Sequence, residues 1–365
     1  GQVAHPAAQA QTIGLPLGGR AVENPLHMAA DENVGADGCH TLVACHNAGP
    51  SKEPGAPAFD IGLWIFDVGL QMLYHLPPAM SNPLQSYRAS IHDQGQIRRL
   101  LDDSRRSFAA FGLEDLPPLL ASGACTVALD GDAVGAFLCV SVNQARWAFV
   151  RGLAVRNGWR TQDGLEAVLE PAASRLRADG VTHLAVYGTA LWLPPALLHV
   201  GFERREWIVS LERHPRPMPD LPARLARVRP VGSGDLAALA ALDGAIFEPP
   251  YQLASGELIE LMVTTGHFVV AELADGAGPA LLLGYACADV LVDTGQIIRL
   301  AVHPDAQRQG IGRALLNQAL AYCHGQGVQR VTINTQESNI ASLRLYEQSG
   351  FRRVGRRVPL LVRPL

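Results

Sequence analysis

The chain has 365 residues, 48% of them hydrophobic and 18% charged, with a formal net charge of −4. That length suits two domains with their own cores, and the charge balance gives no global reason to bind nucleic acid or an anionic membrane. The most apolar stretch, Ile61 to Leu76, is broken by Asp67 and His75 and falls short of the roughly 18 continuous apolar residues of a transmembrane helix.

Residues 1–85 are rich in Gly, Ala, Pro and His, and little periodicity runs through them. They are expected to form a low-complexity, poorly ordered N-terminal segment, with Met80 as a possible start of the globular part. The first residue is glycine, so a processed or clipped product is expected, and the absence of a basic stretch followed by an apolar core argues against a secretory signal. Cys39-His40 and Cys45-His46 carry metal-ligand chemistry, but their spacing fits no zinc module, and no metal is expected. The six cysteines follow no regular framework and read as reduced thiols of a cytoplasmic protein. Lys52 is the only lysine, a bias read as compositional.

From Ser86 the pattern becomes regular. Apolar residues at Ile97, Leu100, Leu101, Phe108 and Phe111 predict a helix over 97–111. Cys125 to Leu129 and Val134 to Val142 read as a hairpin turning at Asp130-Gly131-Asp132, with a third strand over Phe149 to Val155. Gly164 to Ala178 reads as a helix, Val181 to Tyr187 as a strand, Leu191 to Val200 as a short helix and Trp207 to Leu211 as a strand. His214 to Leu221 is crowded with proline and reads as a linker over 214–223. Beyond it, Leu225 to Val231 is a strand candidate, Asp235 to Ala241 and Gly256 to Thr264 are helices, and Glu248-Pro249-Pro250-Tyr251 is a loop. His267 to Leu273 and Ala280 to Val290 form a hairpin, and Gln296 to Val302 leads into a polar turn.

That turn is the most informative stretch. The apolar run Leu300-Ala301-Val302 ends in His303-Pro304, and Gln307-Arg308-Gln309-Gly310-Ile311-Gly312-Arg313 then opens an amphipathic helix whose apolar face is Leu315, Leu316, Ala319, Leu320 and Cys323. A strand, a glycine turn and a helix start aim free backbone N–H groups at an anion. Neither the dinucleotide fingerprint nor the Walker loop is present. Downstream, Asn339-Ile340-Ala341-Ser342-Leu343-Arg344-Leu345-Tyr346 precedes Gly350-Phe351.

These two motifs, in this order, resemble the acyl-CoA loop and the Asn…Leu-Tyr…Gly-Phe segment of the GCN5-related N-acetyltransferases (GNAT family). The resemblance implies an α/β (α+β) fold with a mixed, mostly antiparallel sheet flanked by helices. It further implies an acyltransferase that moves an acetyl group from acetyl-CoA to a primary amine by direct attack. On that reading the backbone of Leu300, Ala301 and Val302 holds the pantetheine arm and polarises the thioester. Gln307, Arg308, Gln309, Gly310, Ile311, Gly312 and Arg313 cradle the pyrophosphate, and Asn339 bonds the pantetheine. Tyr346 protonates the leaving thiolate. Glu337 is the candidate general base, with Asp293 and His303 as alternatives. Phe247 and Tyr251 stand where the family builds its acceptor wall, and Arg352, Arg353, Arg356, Arg357 and Arg363 read as the exposed side of late strands. The acceptor is a small-molecule amine or a peptide N-terminus, with no nucleic acid or membrane partner, and the protein is a monomer or homodimer.

The two halves also share a layout. Leu153-Ala154-Val155 and Gly180-Val181 recur 147 residues later as Leu300-Ala301-Val302 and Gly327-Val328, and Gly201-Phe202 recurs 149 residues later as Gly350-Phe351. In the first half Gly310 and Gly312 are replaced by Asp163 and Leu165, Tyr346 by Leu197 and Asn339 by Ala190. An aspartate there repels a pyrophosphate. The expectation is a degenerate GNAT-like domain over 86–213 and a catalytic one over 224–365. Tandem layouts of this kind also resemble mycothiol synthase-like enzymes, and a non-catalytic acyl-CoA-binding scaffold is the alternative reading.

Overall fold

The computed structural model describes residues 84–214, 226–273 and 281–365. The N-terminal segment with its Cys-His dipeptides, and most of the proline-rich linker, lie outside the described residues. The first half contains β1 (Gln85–Arg88), α1 (Gln94–Asp103), β2 (Arg106–Ala109), α2 (Leu116–Ala121), β3 (Cys125–Asp130), β4 (Ala133–Val142), β5 (Trp147–Val155), α3 (Thr161–Ala178), β6 (His183–Tyr187), α4 (Leu193–Leu198) and β7 (Glu203–Arg213). The second contains β8 (Ala226–Pro230), α5 (Leu236–Ile246), α6 (Ser255–Thr264), β9 (His267–Leu273), β10 (Leu282–Leu291), β11 (Thr294–Val302), α7 (Ile311–Gly325), β12 (Arg330–Gln336), α8 (Ile340–Gln348) and β13 (Arg352–Pro364). The order β9-β10-β11-α7-β12-α8-β13 repeats β3-β4-β5-α3-β6-α4-β7. No described helix is long and apolar enough to cross a membrane.

The strands form one mixed sheet in the order β1-β3-β4-β5-β6-β13-β7-β12-β11-β10-β9-β8, with β2 attached to β5. The last strand of each half is exchanged. β13 pairs with β6 through Leu360↔Tyr187 to Pro364↔His183, and β7 pairs with β12 through Val331↔Arg213 to Gln336↔Ile208. β13 and β7 also pair with each other, with register shifts at Val354/Val358 and Leu360/Leu361. One apolar cluster accordingly mixes Trp147, Tyr187 and Ile208 of the first half with Leu239, Phe247, Tyr251, Tyr285, Val358 and Leu360 of the second.

Each half has one parallel strand pair that separates early. β5 and β6 pair only from Trp147↔His183 to Phe149↔Ala185, and β11 and β12 only from Thr294↔Arg330 to Ile297↔Ile333. Beyond those points the strands diverge and leave a slot. In the first half the slot is filled by β2, which pairs antiparallel with Gly152 to Val155.

This last element corrects the helix expected over 97–111. The helix stops at Asp103, where Ser104 turns extended. Asn157 then grips the turn: its amide donates to the Asp103 carbonyl at 2.8 Å and its side-chain oxygen accepts from Arg105 N–H at 3.1 Å. The residues that follow gain a strand partner in β5, and this non-local pairing overrides the local helical spacing.

Leu360 is fully buried at the exchange, between Tyr187 of β6 and Glu206 of β7. Leu360→Ala is expected to cost about 2–5 kcal/mol and to lower amide protection in β5 and β11 together. Hydrogen exchange followed by mass spectrometry checks this; loss confined to one half would show that the exchange does not couple them.

Candidate active site

The slot of the second half opens along β11. Its other edge is taken by β10, with Gly284↔Val302, Tyr285↔Ala301 and Ala286↔Leu300 in register. His303 N–H donates to the Leu283 carbonyl at 2.8 Å. Hydrogen-bonded and non-bonded pairs alternate along an antiparallel ladder, so the N–H groups of Leu300 and Val302 and the Leu300 carbonyl face away from β10 and into the slot. The Val302 carbonyl accepts instead from Gln307 Nε2 at 3.2 Å. In the first half the groups at the matching positions, Leu153 and Val155, are opposite Phe108 and Arg106 of β2, and the ladder continues as Ala110 N–H to the Arg151 carbonyl at 2.7 Å.

Past Val302 the chain makes a short turn through Pro304–Ala306 and enters a left-handed corner, with Arg308 at φ 61° and Gly310 at φ 84°. A Cβ at Gly310 would meet nothing within 4 Å, so the glycine is required for its backbone angle rather than for space. The first bond of α7 runs from Ala314 N–H to the Gly310 carbonyl at 3.0 Å. The N–H groups of Ile311, Gly312 and Arg313 therefore emerge at the positive end of the helix. Arg313 Nε is buried without a partner among the described residues. Gln309 closes the corner, its Nε2 donating to the Asp305 carbonyl at 3.3 Å. A strand edge with free amide groups, a helix start and an orphaned guanidinium nitrogen together fit a ligand that carries phosphates on an amide-bearing arm. Acetyl-CoA has that make-up.

The remaining expected residues take distinct places. Asn339 is buried and caps α8, its side-chain oxygen accepting from Ser342 N–H at 3.1 Å. Tyr346 is fully buried, tilted against Phe351 with ring centroids 5.9 Å apart, in one cluster with Leu300, Val302 and Ile311. Glu337 is held by two arginines, with Arg357 at 2.8 Å and Arg353 at 3.7 Å. Asp293 precedes β11, about 30 Å of extended strand away from Val302, beside Thr294 and Arg330. His303 uses its Nδ1 to cap the short turn by accepting from Asp305 N–H at 3.3 Å.

Phe247 and Tyr251 do form a wall, over the face of β10 and β11 turned toward α5 and α6. It is fastened from both halves. From below, the fully buried Arg299 donates to Asp243 Oδ2 at 2.6 Å, to Tyr285 Oη at 2.6 Å and to the Tyr251 carbonyl at 2.8 Å. Its guanidinium lies 3.6 Å from the centre of the Phe247 ring. Tyr285 in turn donates to Asp243, and burial pushes its phenol well above its ordinary range. From the first half, Asn143 Nδ2 reaches the Pro250 carbonyl at 3.3 Å, Gln144 Nε2 the Leu253 carbonyl at 2.5 Å, and Arg205 the Glu248 carboxylate at 3.7 Å. Sequence reading missed Arg299 and Asp243. The signal was a lone charge inside each of two apolar runs, Ile297 to Val302 and Leu236 to Ile246.

Residues 236–351 match the family model described as Acetyltransferase (GNAT) family, and this part of the chain belongs to that family. Over 70 residues the chain is 37% identical to [ribosomal protein bS18]-alanine N-acetyltransferase of Escherichia coli (strain K12), covering 19% of this chain and 47% of that protein. Over 59 residues it is 42% identical to mycothiol acetyltransferase of Geodermatophilus obscurus, covering 16% and 19%. It thus spans about half the length of the first relative, or less of the second. Among solved structures, a tandem GNAT protein from the clavulanic acid biosynthesis pathway superposes with a TM-score of 0.51 at 17% identity, over 77% of this chain and 98% of that one. That likeness concerns the fold.

Arg299→Met strands the Asp243 carboxylate in the core and is expected to cost about 3–5 kcal/mol in urea unfolding. The double variant Asp243→Leu/Arg299→Met recovers most of that loss, because no uncompensated charge remains. A double variant no more stable than the single one would mean the cluster is not held by its ion pair.

Proposed function

We infer that the protein is an acetyl-CoA-dependent N-acetyltransferase with one working site per chain, in the second half. The observation that carries this is the contrast between two related strand edges: Leu300 to Val302 face an open slot that leads to a left-handed glycine and a helix start, whereas Gly152 to Val155 are occupied by the chain's own β2. The helix starts also correct the expected match of Asp163 to Gly310: Gly164 N–H bonds the Arg160 carbonyl as Ala314 N–H bonds that of Gly310, so Arg160 stands where the second half has Gly310, and Asp163, 3.9 Å from Arg160, where it has Arg313.

Bound acetyl-CoA supplies an acyl group activated as a thioester. The residues here bind and orient it. The N–H groups of Ile311, Gly312 and Arg313, with the Arg313 side chain, meet the pyrophosphate. The free amides of Leu300 and Val302 take the arm and fix the carbonyl. Asn339 serves the arm while capping α8. Tyr346 is the donor assigned to the leaving sulfur, and it keeps that role only if its hydroxyl reaches the slot from the buried cluster it occupies. The acceptor is a primary amine that enters beside Phe247 and Tyr251. Protein N-termini are favoured over other amines by the longer match, to an enzyme named for acetylating the alanine of a ribosomal protein.

Calorimetric titration of acetyl-CoA is expected to give a stoichiometry near one. Gly310→Asp, which adds a charge and strains the left-handed backbone, lowers affinity by about 100-fold, while Arg160→Glu in the first half leaves it unchanged. Two sites per chain, or affinity that survives Gly310→Asp, would overturn the single-site reading; no binding at all would favour a scaffold. Tyr346→Phe is expected to lower turnover about 100-fold with the acetyl-CoA Kd within twofold of wild type, read by thiol release and calorimetry.

A further inference from the structure

Two buried polar atoms sit unpartnered on the acceptor side of the slot. Tyr251 Oη and Gln336 Oε1 make no hydrogen bond of acceptable geometry among the described residues, and their side chains are only 6% and 5% exposed. The Gln336 amide lies against the Tyr251 phenol. An unsatisfied buried polar atom costs about 1–3 kcal/mol, so two in one place mark a spot that a polar ligand completes.

The carboxylate next to this spot comes from the other half. Gln336, the last residue of β12, is opposite Ile208 of the exchanged strand β7. Two residues earlier on β7, Glu206 accepts a hydrogen bond from Ser338 Oγ. Burial pushes the Tyr251 and Tyr187 phenols up, and the nearby Glu206 charge adds to both shifts. Two carboxylates act on the Tyr251 phenol, Glu206 and Glu248, and Glu248 is paired with Arg205. Glu206 makes no ion pair among the described residues. It is half-buried, open to solvent on one side, and near enough to Tyr251 for its charge to act on the phenol.

We propose that Glu206, delivered from the first half by the strand exchange, is the general base for the acceptor amine, which docks on Tyr251 Oη and Gln336 Oε1. This rests on the acetyltransferase reading above. The acceptor arrives as an ammonium and gives one proton to the Glu206 carboxylate. The neutral nitrogen attacks the thioester carbonyl, the C–N bond forms and the C–S bond breaks. Tyr346 gives its proton to the leaving sulfur and is reprotonated by the proton shed from the new amide nitrogen, and Glu206 returns its own proton to solvent. Ser338 holds the carboxylate in place and is a positioning residue. The first half is then a component of the acceptor site although its own slot is closed.

The experiment compares wild type, Glu206→Gln, Glu206→Asp and Ser338→Ala. Acetyl-CoA consumption is followed as released thiol between pH 5.5 and 9 (about the range in which an amine's protonation limits attack), with water alone, glycinamide and an alanine-initiated tripeptide as acceptors. Acetyl-CoA affinity is measured in parallel by calorimetry. Glu206→Gln is expected to lose about 100-fold or more in kcat/KM with every amine acceptor, with Kd for acetyl-CoA within twofold of wild type. Glu206→Asp recovers part of the rate, and Ser338→Ala falls between. The proposal is overturned if Glu206→Gln keeps its rate, if it loses acetyl-CoA binding along with rate, or if wild type binds acetyl-CoA yet consumes none with any of these acceptors. Failure of wild type to bind acetyl-CoA is a separate result, which removes the acetyltransferase reading itself.

Discussion

Everything distinctive here follows from the exchange of two terminal strands. Each half ends in a strand that finds its ladder partners in the other half: β13 on β6, β7 on β12. A sheet edge is a row of unmet donors and acceptors, and two related sheets with their last strands traded hide four such edges at once. The same exchange puts side chains of the first half where the second half opens. Ile208 stands opposite Gln336, the Trp207 carbonyl accepts from Glu337 N–H at 2.8 Å, and Ser338 meets Glu206. A half whose own slot is filled is therefore still in contact with the open one.

The asymmetry between the halves has a backbone cause as well as a side-chain one. The opening of α3 carries Arg160 and Asp163 where that of α7 carries Gly310 and Arg313, but that alone leaves a vacant strand edge. Four residues, Arg106–Ala109, satisfy it. The edge of Leu300 to Val302 has no such internal partner among the described residues, and the corresponding stretch of the second half, between α5 and α6, is drawn away to the opposite face. Asp243 holds the Leu253 N–H at 2.9 Å, and Arg299 holds the Tyr251 carbonyl. The same region of chain is thus a plug in one half and a wall beside the slot in the other, and the difference lies in whether a strand edge or a buried charge claims it.

The sequence was most legible where the chemistry is local. Gly310 and Gly312 before an apolar helix depend on neighbours within one turn, so spacing located them, whereas Asn339, which caps the amide three residues on, was singled out by the motif resemblance. The hairpins and the two repeated strand–helix units followed from period and turn residues. What was not legible depends on distant partners. Nothing in Arg106–Ala109 itself favours a strand over the helical spacing set by Leu100, Leu101 and Phe108; β5 decides it from nearly fifty residues away. The strand exchange is invisible for the same reason, since either last strand offers the same alternation to either sheet. Arg299 and Asp243 were visible as anomalies, charges in apolar runs, but only the fold brings them together.

That buried cluster also bears on what the site optimises. A fully buried ion pair gains little net stability over apolar residues of the same volume, because two charges must be stripped of water. Placed between the strand that faces the slot and the loop that forms the wall, however, it does something a packed leucine does not. Arg299 immediately precedes Leu300, and its guanidinium fixes Asp243, Tyr285, the Tyr251 carbonyl and the face of Phe247 in one geometry. A shift in the strand is then a shift in the wall. A cluster that ties the open strand edge to the wall holds the two in one register, at a cost in stability. On the other side the wall is held by Asn143, Gln144 and Arg205 of the first half. The open strand edge, the wall and the exchanged strand are therefore tied into one unit by contacts from both halves.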